Sequence, residues 1–204
     1  MRARVNSKRQ NPRRQDILEA TLRVIGEGGV NSVTHRVVAQ EAGVSLASTT
    51  YYFDSKSALI EEALELMIAR STECVLEHTT APPKISQAEL IKRIVAFADA
   101  QINDPQAFLT AQYELMLEAG RAEYLRPLAR RWTIAYMDGF RQLVESAGLP
   151  RPKVAAEVIM KFVEGALLDQ AMTPTDDFLE AYFRPHLTEL VRAWAKTRQR
   201  PRSS

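Results

Sequence analysis

The sequence predicts an all-α protein, and three observations lead to this fold class. Glycine and proline are sparse, with 8 and 10 copies in 204 residues. Apolar residues recur at intervals of three and four positions and rarely alternate with polar ones, which is the period of a helix. Most apolar stretches start after a residue that caps helices and end at glycine or proline. The composition, 46% hydrophobic and 25% charged, is that of a folded globular protein.

The first four predicted helices have clear start and stop signals. Asn11 before Pro12 is a cap followed by proline at the first helical position, where no backbone N–H is needed. Gly28 and Gly29 stop this helix. The next three helices are predicted from the N-cap Thr34 through Ala42, from the N-cap Ser45 after Gly43, and from Ser55 to about Thr79, before Ala81-Pro82-Pro83.

Five further helices are predicted after the two prolines, which makes nine in all. Their predicted extents are from Ser86 as N-cap, from Asp104-Pro105 to near Gly120, from Ala122 to Ala147, from Lys153 to Met172, and from Thr173-Pro174-Thr175-Asp176 onward. We place the domain boundary along the fourth helix. Residues 1–56 form the first predicted domain and residues 57–204 form the second.

The net charge of +2 conceals an uneven distribution. Residues 1–15 contain six basic and no acidic residues, and residues 196–202 add four more basic ones. Such tails occur as plain solvated ends and as segments that reach the phosphates of nucleic acids. The middle of the chain is acidic.

No apolar run approaches the roughly 20 residues that span a bilayer, and no apolar stretch of the signal-peptide type follows the basic N-terminus. We therefore expect a cytoplasmic protein without a membrane partner. The single cysteine, Cys74, excludes an intramolecular disulfide and is expected to be a small packed residue.

The segment GVSLASTTYYFDSK, residues 43–56, places hydroxyl and aromatic residues in a stretch too short for a core helix. Two short helices separated by Gly43-Val44-Ser45 have the spacing of a helix-turn-helix, whose second helix enters the major groove of DNA. Two short helices in an ordinary bundle have the same spacing. Spacing alone therefore leaves both interpretations open.

Residue identity favours the helix-turn-helix. SVTHRVVA at 32–39, AGVS at 42–45, TYYF at 50–53, Ser55-Lys56 and Leu59 resemble the DNA-binding domain of the TetR family of transcriptional repressors, over about residues 12–60. Thr50 stands where the family usually has tyrosine. The remaining helices resemble the family's ligand-binding and dimerisation domain in number, in length and in a final pair of long helices. The resemblance implies a homodimer that binds palindromic operator DNA and is released by a small-molecule effector.

The resemblance and the helix starts together predict the DNA contacts. Thr34 and Ser45 begin helices, where free amides and the helix dipole favour phosphate. Arg36 is placed like the family's base-reading residue and is predicted to bond a guanine edge, with a phosphate contact or a surface ion pair as alternatives. Lys56 resembles the family's phosphate-contacting lysine, with a solvated side chain as the alternative. The full predicted set is Thr34, His35, Arg36, Ser45, Leu46, Ala47, Ser48, Thr49, Tyr51, Tyr52 and Lys56.

The predicted recognition helix carries short side chains. Leu46, Ala47, Ser48 and Thr49 offer methyl and hydroxyl groups but no long bidentate donor. We expect them to read thymine methyl groups and DNA shape more than guanine. Phe53 is expected to fill the core between the first and fourth helices.

The DNA backbone is the expected partner of the remaining polar residues in this half of the chain. Tyr51 and Tyr52 are expected to give their hydroxyls to phosphates. The N-terminal arm is expected to follow phosphates or a minor groove through Arg2, Arg4, Lys8 and Arg9.

A helical-bundle enzyme, such as a di-iron carboxylate protein, is the alternative from another class. Such sites need Glu-x-x-His pairs, and none of His35, His78 and His186 has a glutamate three residues before it. The sequence also contains no His-Glu-x-x-His and no cysteine cluster. We therefore predict no catalytic residues, no metal site and no cofactor. A DNA-binding regulator that senses no ligand is the second alternative.

Apolar and aromatic stripes on the later helices predict two further sites, although core packing is the ordinary role of such stripes. We expect a mostly apolar pocket for an uncharged or weakly acidic, largely hydrophobic effector. Its predicted lining is Ile94, Phe97, Phe108, Gln112, Tyr113, Met116, Trp132 and Tyr136. The last two helices predict a four-helix dimer interface, because they carry more apolar surface than one thin domain covers. The predicted interface residues are Val158, Ile159, Phe162, Val163, Ala166, Phe178, Tyr182, Leu187, Val191 and Trp194.

Overall fold

The computed structural model describes residues 11–104 and 108–197, and this part of the chain contains nine α-helices and no strand. The predicted all-α fold is confirmed. Short 3₁₀ turns at Val30–Ser32 and Glu123–Leu125 precede the second and seventh helices, and a π-helical segment, Phe178–Phe183, leads into the ninth. The helices are α1 (Pro12–Gly28), α2 (His35–Glu41), α3 (Leu46–Tyr52), α4 (Lys56–Thr79), α5 (Gln87–Ile102), α6 (Phe108–Arg121), α7 (Arg126–Ser146), α8 (Pro152–Met172) and α9 (Arg184–Ala195).

Four helices begin at the caps that the sequence predicts. In each, a side-chain oxygen accepts a hydrogen bond from a backbone N–H two or three residues further on, at 3.0–3.1 Å. Each bond satisfies an amide that the helix itself leaves unpaired. The pairs are Asn11 with Arg13, Thr34 with Val37, Ser45 with Ser48, and Ser86 with Glu89.

The chain divides into two compact units. Of the described residues, the first contains 11–70, 104 and 108–130, and the second contains 71–103 and 131–197. The division falls inside α4 and inside α7. The boundary predicted after Lys56 separates the chain by function, and it stays a prediction.

The first unit is built around α1, which packs against α2 and α6, while α2 packs against α3. Phe53 is 1% exposed and belongs to the core of this unit, as predicted. The guanidinium of Arg14 lies 5.1 Å from the centroid of the Phe53 ring. Arg14 also forms an ion pair with Glu62, and Glu19 forms one with Arg70, so that two charged contacts join α1 to α4.

The second unit packs α5 against α8 and α9, and α8 against α9. Gly139 of α7 lies so close to α4 that a Cβ there would be 2.5 Å from Val75 and 2.9 Å from Thr79. Any other residue at this position would force the side chains of Val75 and Thr79 to shift. At the far end, Trp194 Nε1 donates to the carbonyl oxygen of Pro150 at 2.7 Å, which holds the loop between α7 and α8 to α9.

The seventh helix begins later than predicted. We expected it from Ala122, but a 3₁₀ turn comes first and α7 starts at Arg126. The reason is Pro127, which has no backbone N–H and fits only in the first turn of a helix. A helix running from Ala122 would have placed this proline in its interior.

The ninth helix also begins later, because a side chain of α8 holds the preceding segment in another conformation. The capping sequence at Thr173 starts no helix, and the π-helical segment begins only at Phe178. Gln170 accepts from the backbone N–H of Thr175 and donates to its carbonyl oxygen, both at 3.0 Å. Pro185 then sits in the first turn of α9, where its missing N–H is tolerated.

Some predicted features lie outside the described residues. They are the arm residues Arg2, Arg4, Lys8 and Arg9, the helix start at Pro105 and the basic tail after Thr197. Within residues 11–104 and 108–197, no helix has both the length and the apolar character that crossing a membrane requires.

Candidate DNA-binding surface and ligand-binding cluster

Helix α2 turns its apolar side to the core and its charged side to solvent. Val38 is 0% and Ala39 is 4% exposed, while Arg36 is exposed. Across the described part of the chain, Arg36 makes no hydrogen bond and no ion pair. The surface ion pair considered for Arg36 therefore does not form within this part, and the guanidinium is available to another molecule.

The turn between α2 and α3 is set by Gly43. Its φ of 63° lies in the left-handed region that glycine adopts without strain. The N–H of Gly43 donates to the Gln40 carbonyl oxygen at 3.2 Å, and the N–H of Val44 donates to that of Ala39 at 2.9 Å. These bonds close α2 and allow Ser45 to cap α3 two residues later. The result is the helix-turn-helix that spacing and residue identity together predicted.

Helix α3 has an outer face of four residues that are exposed to solvent. Leu46 is 51% and Tyr51 is 61% exposed, and Ala47 and Thr50 lie on the same face. Their spacing of one, four and five positions places them along one side of a helix. Thr50 is absent from the predicted DNA-binding set, because the sequence alone does not show that its side chain is exposed.

The inner face of α3 packs onto the first unit. Thr49 is 0% exposed, and its hydroxyl donates to the Leu46 carbonyl oxygen at 2.8 Å. Tyr52 is half-buried against the core of the unit. Thr49, which the sequence placed among the DNA contacts, thus lies on the side of the helix that faces the protein.

Two predicted DNA-binding residues flank this surface. Lys56 is exposed, and its Nζ donates to the carbonyl oxygen of Asn31 at 3.1 Å, in the turn before α2. His35 is half-buried, and within the described residues its Nδ1 is buried without a hydrogen-bond partner. The ammonium group of Lys56 thus lies close to the N-terminus of α2.

Next to Lys56, the turn before α7 contacts the first turn of α4. Burial raises the pKa of Tyr124 above its ordinary value, and the carboxylates of Glu118 and Glu61 raise it further. A hydrogen bond with the Ser57 side chain opposes this shift. The phenol therefore stays protonated at neutral pH and adds no negative charge to the first turn of α4.

The second unit contains an aromatic cluster formed by Phe97, Trp132, Tyr136 and Phe140. The rings of Trp132 and Tyr136 are 4.5 Å apart, and Phe97 meets Tyr136 and Phe140 edge-on at 5.7 and 5.5 Å. Trp132 Nε1 donates to the hydroxyl of Ser71 at 3.0 Å. The cluster thus joins α4, α5 and α7 and includes a buried polar group.

The eight predicted effector residues are divided equally between the two units. Ile94, Phe97, Trp132 and Tyr136 lie in the second unit, and all four are buried. Phe108, Gln112, Tyr113 and Met116 lie on α6 in the first unit.

In the first unit, Phe108 belongs to the core. The guanidinium of Arg70 lies over its ring, 4.6 Å from the ring centroid. Met116 packs against the same core.

Most of the predicted dimer residues are buried within their own chain. Ile159, Val163, Ala166, Phe178, Leu187 and Val191 are between 0% and 7% exposed. Val158 and Tyr182 remain 37% and 41% exposed. The α8 residues that extend this exposed surface, Val154, Leu168 and Met172, were missed because their neighbours at helical spacing are equally apolar.

A cavity of about 430 Å³ opens beside α1 and α2 in the first unit. None of the predicted effector residues lines it; its walls are Val24, Glu27, Gly28, Ser32, Val37, Gln40 and Glu41. Within the described ranges, no group of three or more histidine, cysteine, aspartate or glutamate side chains is arranged to hold a metal ion.

Comparison with known proteins gives matches along most of the chain. Residues 17–63 match the family model of bacterial regulatory proteins of the tetR family, and residues 86–197 match the tetracyclin repressor-like C-terminal domain. The HTH-type transcriptional regulator BetI of Serratia proteamaculans is 36% identical over 93 residues, which cover 45% of this chain and 47% of that protein. The chain thus matches about half the length of this curated relative.

Solved structures match over a greater length. A TetR-family member from Streptomyces coelicolor is 29% identical, with a TM-score of 0.67, covering 89% of this chain and 99% of that one. The multidrug binding protein EbrR, complexed with ethidium, is 28% identical, with a TM-score of 0.63, covering 88% and 98%. Together with the two family models, these matches show that the chain belongs to the TetR family of transcriptional regulators.

Proposed function

We propose that this protein is a dimeric transcriptional regulator that represses genes by binding a palindromic operator and is released from it by a small hydrophobic molecule. The observation that carries the proposal is the outer surface of the helix-turn-helix. The outer face of α3 is exposed and uncharged, and Arg36 beside it has no partner among the described residues. A solvent-facing surface of this kind has no role in packing and fits a major groove.

In this proposal, different residues contact the bases and the DNA backbone. Arg36 bonds the edge of a guanine, because a guanidinium can donate to O6 and N7 together. Lys56 neutralises a phosphate and exchanges the Asn31 carbonyl, 3.1 Å from its Nζ, for a charged acceptor. Thr34 and Ser45 keep their caps, and the backbone at these helix starts faces the phosphates.

The dimer forms through an exposed apolar stripe on α8. Val154, Val158, Leu168 and Met172 are between 37% and 64% exposed, and Gly165 between them leaves open space. With Gly165 included, successive positions are four, seven, three and four residues apart, which places them along one side of the helix. A second copy related by a two-fold axis covers this stripe, together with the exposed Tyr182 near the end of the π-helical segment.

The effector binds beside the aromatic cluster of the second unit. Four rings in edge and tilted contact and one buried indole N–H offer apolar surface with few polar groups, which suits a largely hydrophobic molecule. Structures of EbrR contain ethidium, proflavin and imidazole. Flat aromatic cations therefore belong beside neutral and weakly acidic compounds among the candidates, since ring faces attract cations.

A combined stability and DNA-binding experiment tests the proposal. Purified protein is screened for compounds that raise its melting temperature, and each hit is titrated into a complex with a DNA site recovered by selection. The expected hits are hydrophobic, and they weaken DNA binding because they favour a dimer that does not fit the half-sites. Hits that stabilise the protein and leave DNA affinity unchanged would contradict the release mechanism. Polar hits alone would contradict the assigned site.

The alternatives are less well supported. The named relatives are transcriptional regulators, which disfavours a helical-bundle enzyme. A regulator without an effector would leave the aromatic cluster as packing, and the compound screen distinguishes this case. A protein that acts on operator DNA works in the cytoplasm, where we place it.

A further inference from the structure

We infer that α3 reads its operator through the 5-methyl groups of thymine, with Leu46 as the main contact and the methyl group of Thr50 beside it. The inference rests on the proposed DNA-binding function and names the chemical group that this surface selects. Leu46 is 51% exposed at the first position of α3, and Thr50 follows one helical turn later on the same face. Neither side chain is needed for the core.

The first two residues of the outer face, Leu46 and Ala47, are apolar. Helix α3 has the sequence LASTTYY and contains no charged residue. The side chains of Leu46 and Ala47 carry only hydrocarbon, so they can neither donate to nor accept from a base edge. A face of this kind gains from burying another apolar group and loses from covering a polar one.

The hydroxyl protons near this face are mostly engaged inside the protein. Thr49 donates to the carbonyl oxygen of Leu46 at 2.8 Å, and Thr50 donates to those of Leu46 and Ala47 at 3.3 Å. The hydroxyls of Ser45 and Ser48 pair with each other at 2.9 Å. Three of the four hydroxyl protons on the serines and threonines of residues 45–50 are thus in use. The hydroxyl of Thr50 points back to its own helix, which leaves its methyl group for the exterior.

Thymine is the base that matches such a face. In the major groove, guanine, adenine and cytosine present hydrogen-bonding groups, and thymine alone adds an apolar methyl group. Burying a group of this size changes an equilibrium constant about fourfold, because it contributes about 0.8 kcal/mol and 1.4 kcal/mol corresponds to a factor of ten. In two symmetric half-sites, the free energies of the two methyl contacts add, so their effects on Kd multiply.

Replacement of thymine by deoxyuridine tests the inference on the unmodified protein. Deoxyuridine removes the methyl group and keeps the pairing and the O4 acceptor. In a duplex recovered by selection from random sequence, each thymine is replaced in turn, together with its symmetry mate. We expect at least one replacement to raise Kd by about fifteenfold, the product of two fourfold losses. Equal Kd values for the thymine and deoxyuridine duplexes at every position would overturn the inference, although the selected site would still support the proposed function.

Protein variants identify the side chain that meets the methyl group. Leu46→Ala should bind more weakly and lose the difference between thymine and deoxyuridine at the sensitive position. Tyr51→Phe is the matched control on the same face, because it removes a hydroxyl and keeps the ring. It should retain the wild-type ratio. A Leu46→Ala protein that melts like the wild type and keeps the full ratio would exclude Leu46 as the contact. Failure to select any duplex would instead contradict the proposed function itself.

Discussion

The hydrogen bonds that shape the helix-turn-helix join residues close in sequence, whereas those that link separate helices of the second compact unit join residues far apart. Thr34 with Val37 and Ser45 with Ser48 are three residues apart. In the second unit, Trp132 bonds Ser71 across 61 positions. The first region is shaped by local bonds and leaves its outer side chains exposed to solvent, whereas the second buries the side chains that define it. Substitutions on the outer helix-turn-helix surface should therefore alter DNA binding, and substitutions in the second unit should first alter stability.

The largest expected effect is on folding. Trp132 is 5% exposed and contacts Tyr136 at 4.5 Å between ring centroids. Trp132→Ala should lower the free energy of unfolding by about 3–5 kcal/mol, since it leaves a cavity and removes a hydrogen bond to the buried hydroxyl of Ser71. Leu46→Ala, on the exposed face of α3, should change it by less than about 0.5 kcal/mol. Urea unfolding followed by circular dichroism measures both. Equal losses would remove the contrast between the two regions.

Assembly should show the next largest effect. The double substitution of Val158 and Leu168 by glutamate places charges on the exposed stripe of α8 and should give a monomer in light scattering. Operator affinity should then fall roughly a hundredfold, because the second half-site is no longer tethered to the first. Ile134→Glu is the control, since Ile134 is 56% exposed on α7 and lies off the stripe. A dimeric double variant would show that another surface forms the interface.

Within the DNA-binding surface, Arg36 and Lys56 should behave differently. Arg36→Ala should relax specificity at one base position by about 1–3 kcal/mol, because a bidentate base contact is lost. Lys56→Ala should weaken binding to all sequences alike and reduce its salt dependence. Competition titrations against duplexes that vary at each position separate these outcomes. Equal losses on every base for Arg36→Ala would assign that residue to a phosphate.

The two threonines of α3 allow a comparison at adjacent positions. Thr49→Val buries a methyl group where a hydroxyl donates to the Leu46 carbonyl oxygen at 2.8 Å, and it should lower stability by about 1 kcal/mol. Thr50→Val retains the outward methyl group and should leave both stability and DNA affinity nearly unchanged. Thermal unfolding and a DNA titration on both variants provide the measurement. A marked loss of DNA affinity for Thr50→Val would mean that the hydroxyl, and not the methyl group, meets the DNA.

The smallest expected effect depends on pH. Hydrogen bonding to Arg184 lowers the pKa of Glu180 below its ordinary value. A lowered pKa in the folded state means that this pair stabilises the protein above the unfolded pKa, and that the stabilisation is lost as pH falls through the folded value. Glu180 is fully exposed, so the loss should be slight. An NMR titration of the Glu180 carboxylate should place its pKa below that of an isolated glutamate, and Arg184→Ala should restore the ordinary value.

The sequence separation between interacting residues also explains which features could be predicted from the sequence. Caps at Asn11, Thr34, Ser45 and Ser86 depend on residues within one turn, and all four form. The start of the last helix depends on Gln170, five residues away from the backbone that it holds, and was predicted wrongly.

The candidate site follows this rule as well. The outer face of α3 could be predicted as far as its residue types, but which threonine faces outward depends on how α3 packs against α2. The aromatic cluster joins Phe97 and Tyr136 from separate helices, and no local pattern encodes that contact. The exposed stripe on α8 has the same origin. Burial of Ile159 and exposure of Val158 follow from packing against α5 and α9, and both residues are equally apolar in the sequence.

Selection of bound duplexes from random DNA tests the central claim most directly, because every possible operator sequence competes in the same experiment. A dimer that presents two copies of α3 should recover sites with dyad symmetry, with half-site centres about 34–36 Å apart or somewhat more. Enrichment of sites without dyad symmetry, or no enrichment at all, would contradict the account of residues 34–56 as one half of a symmetric operator-reading surface.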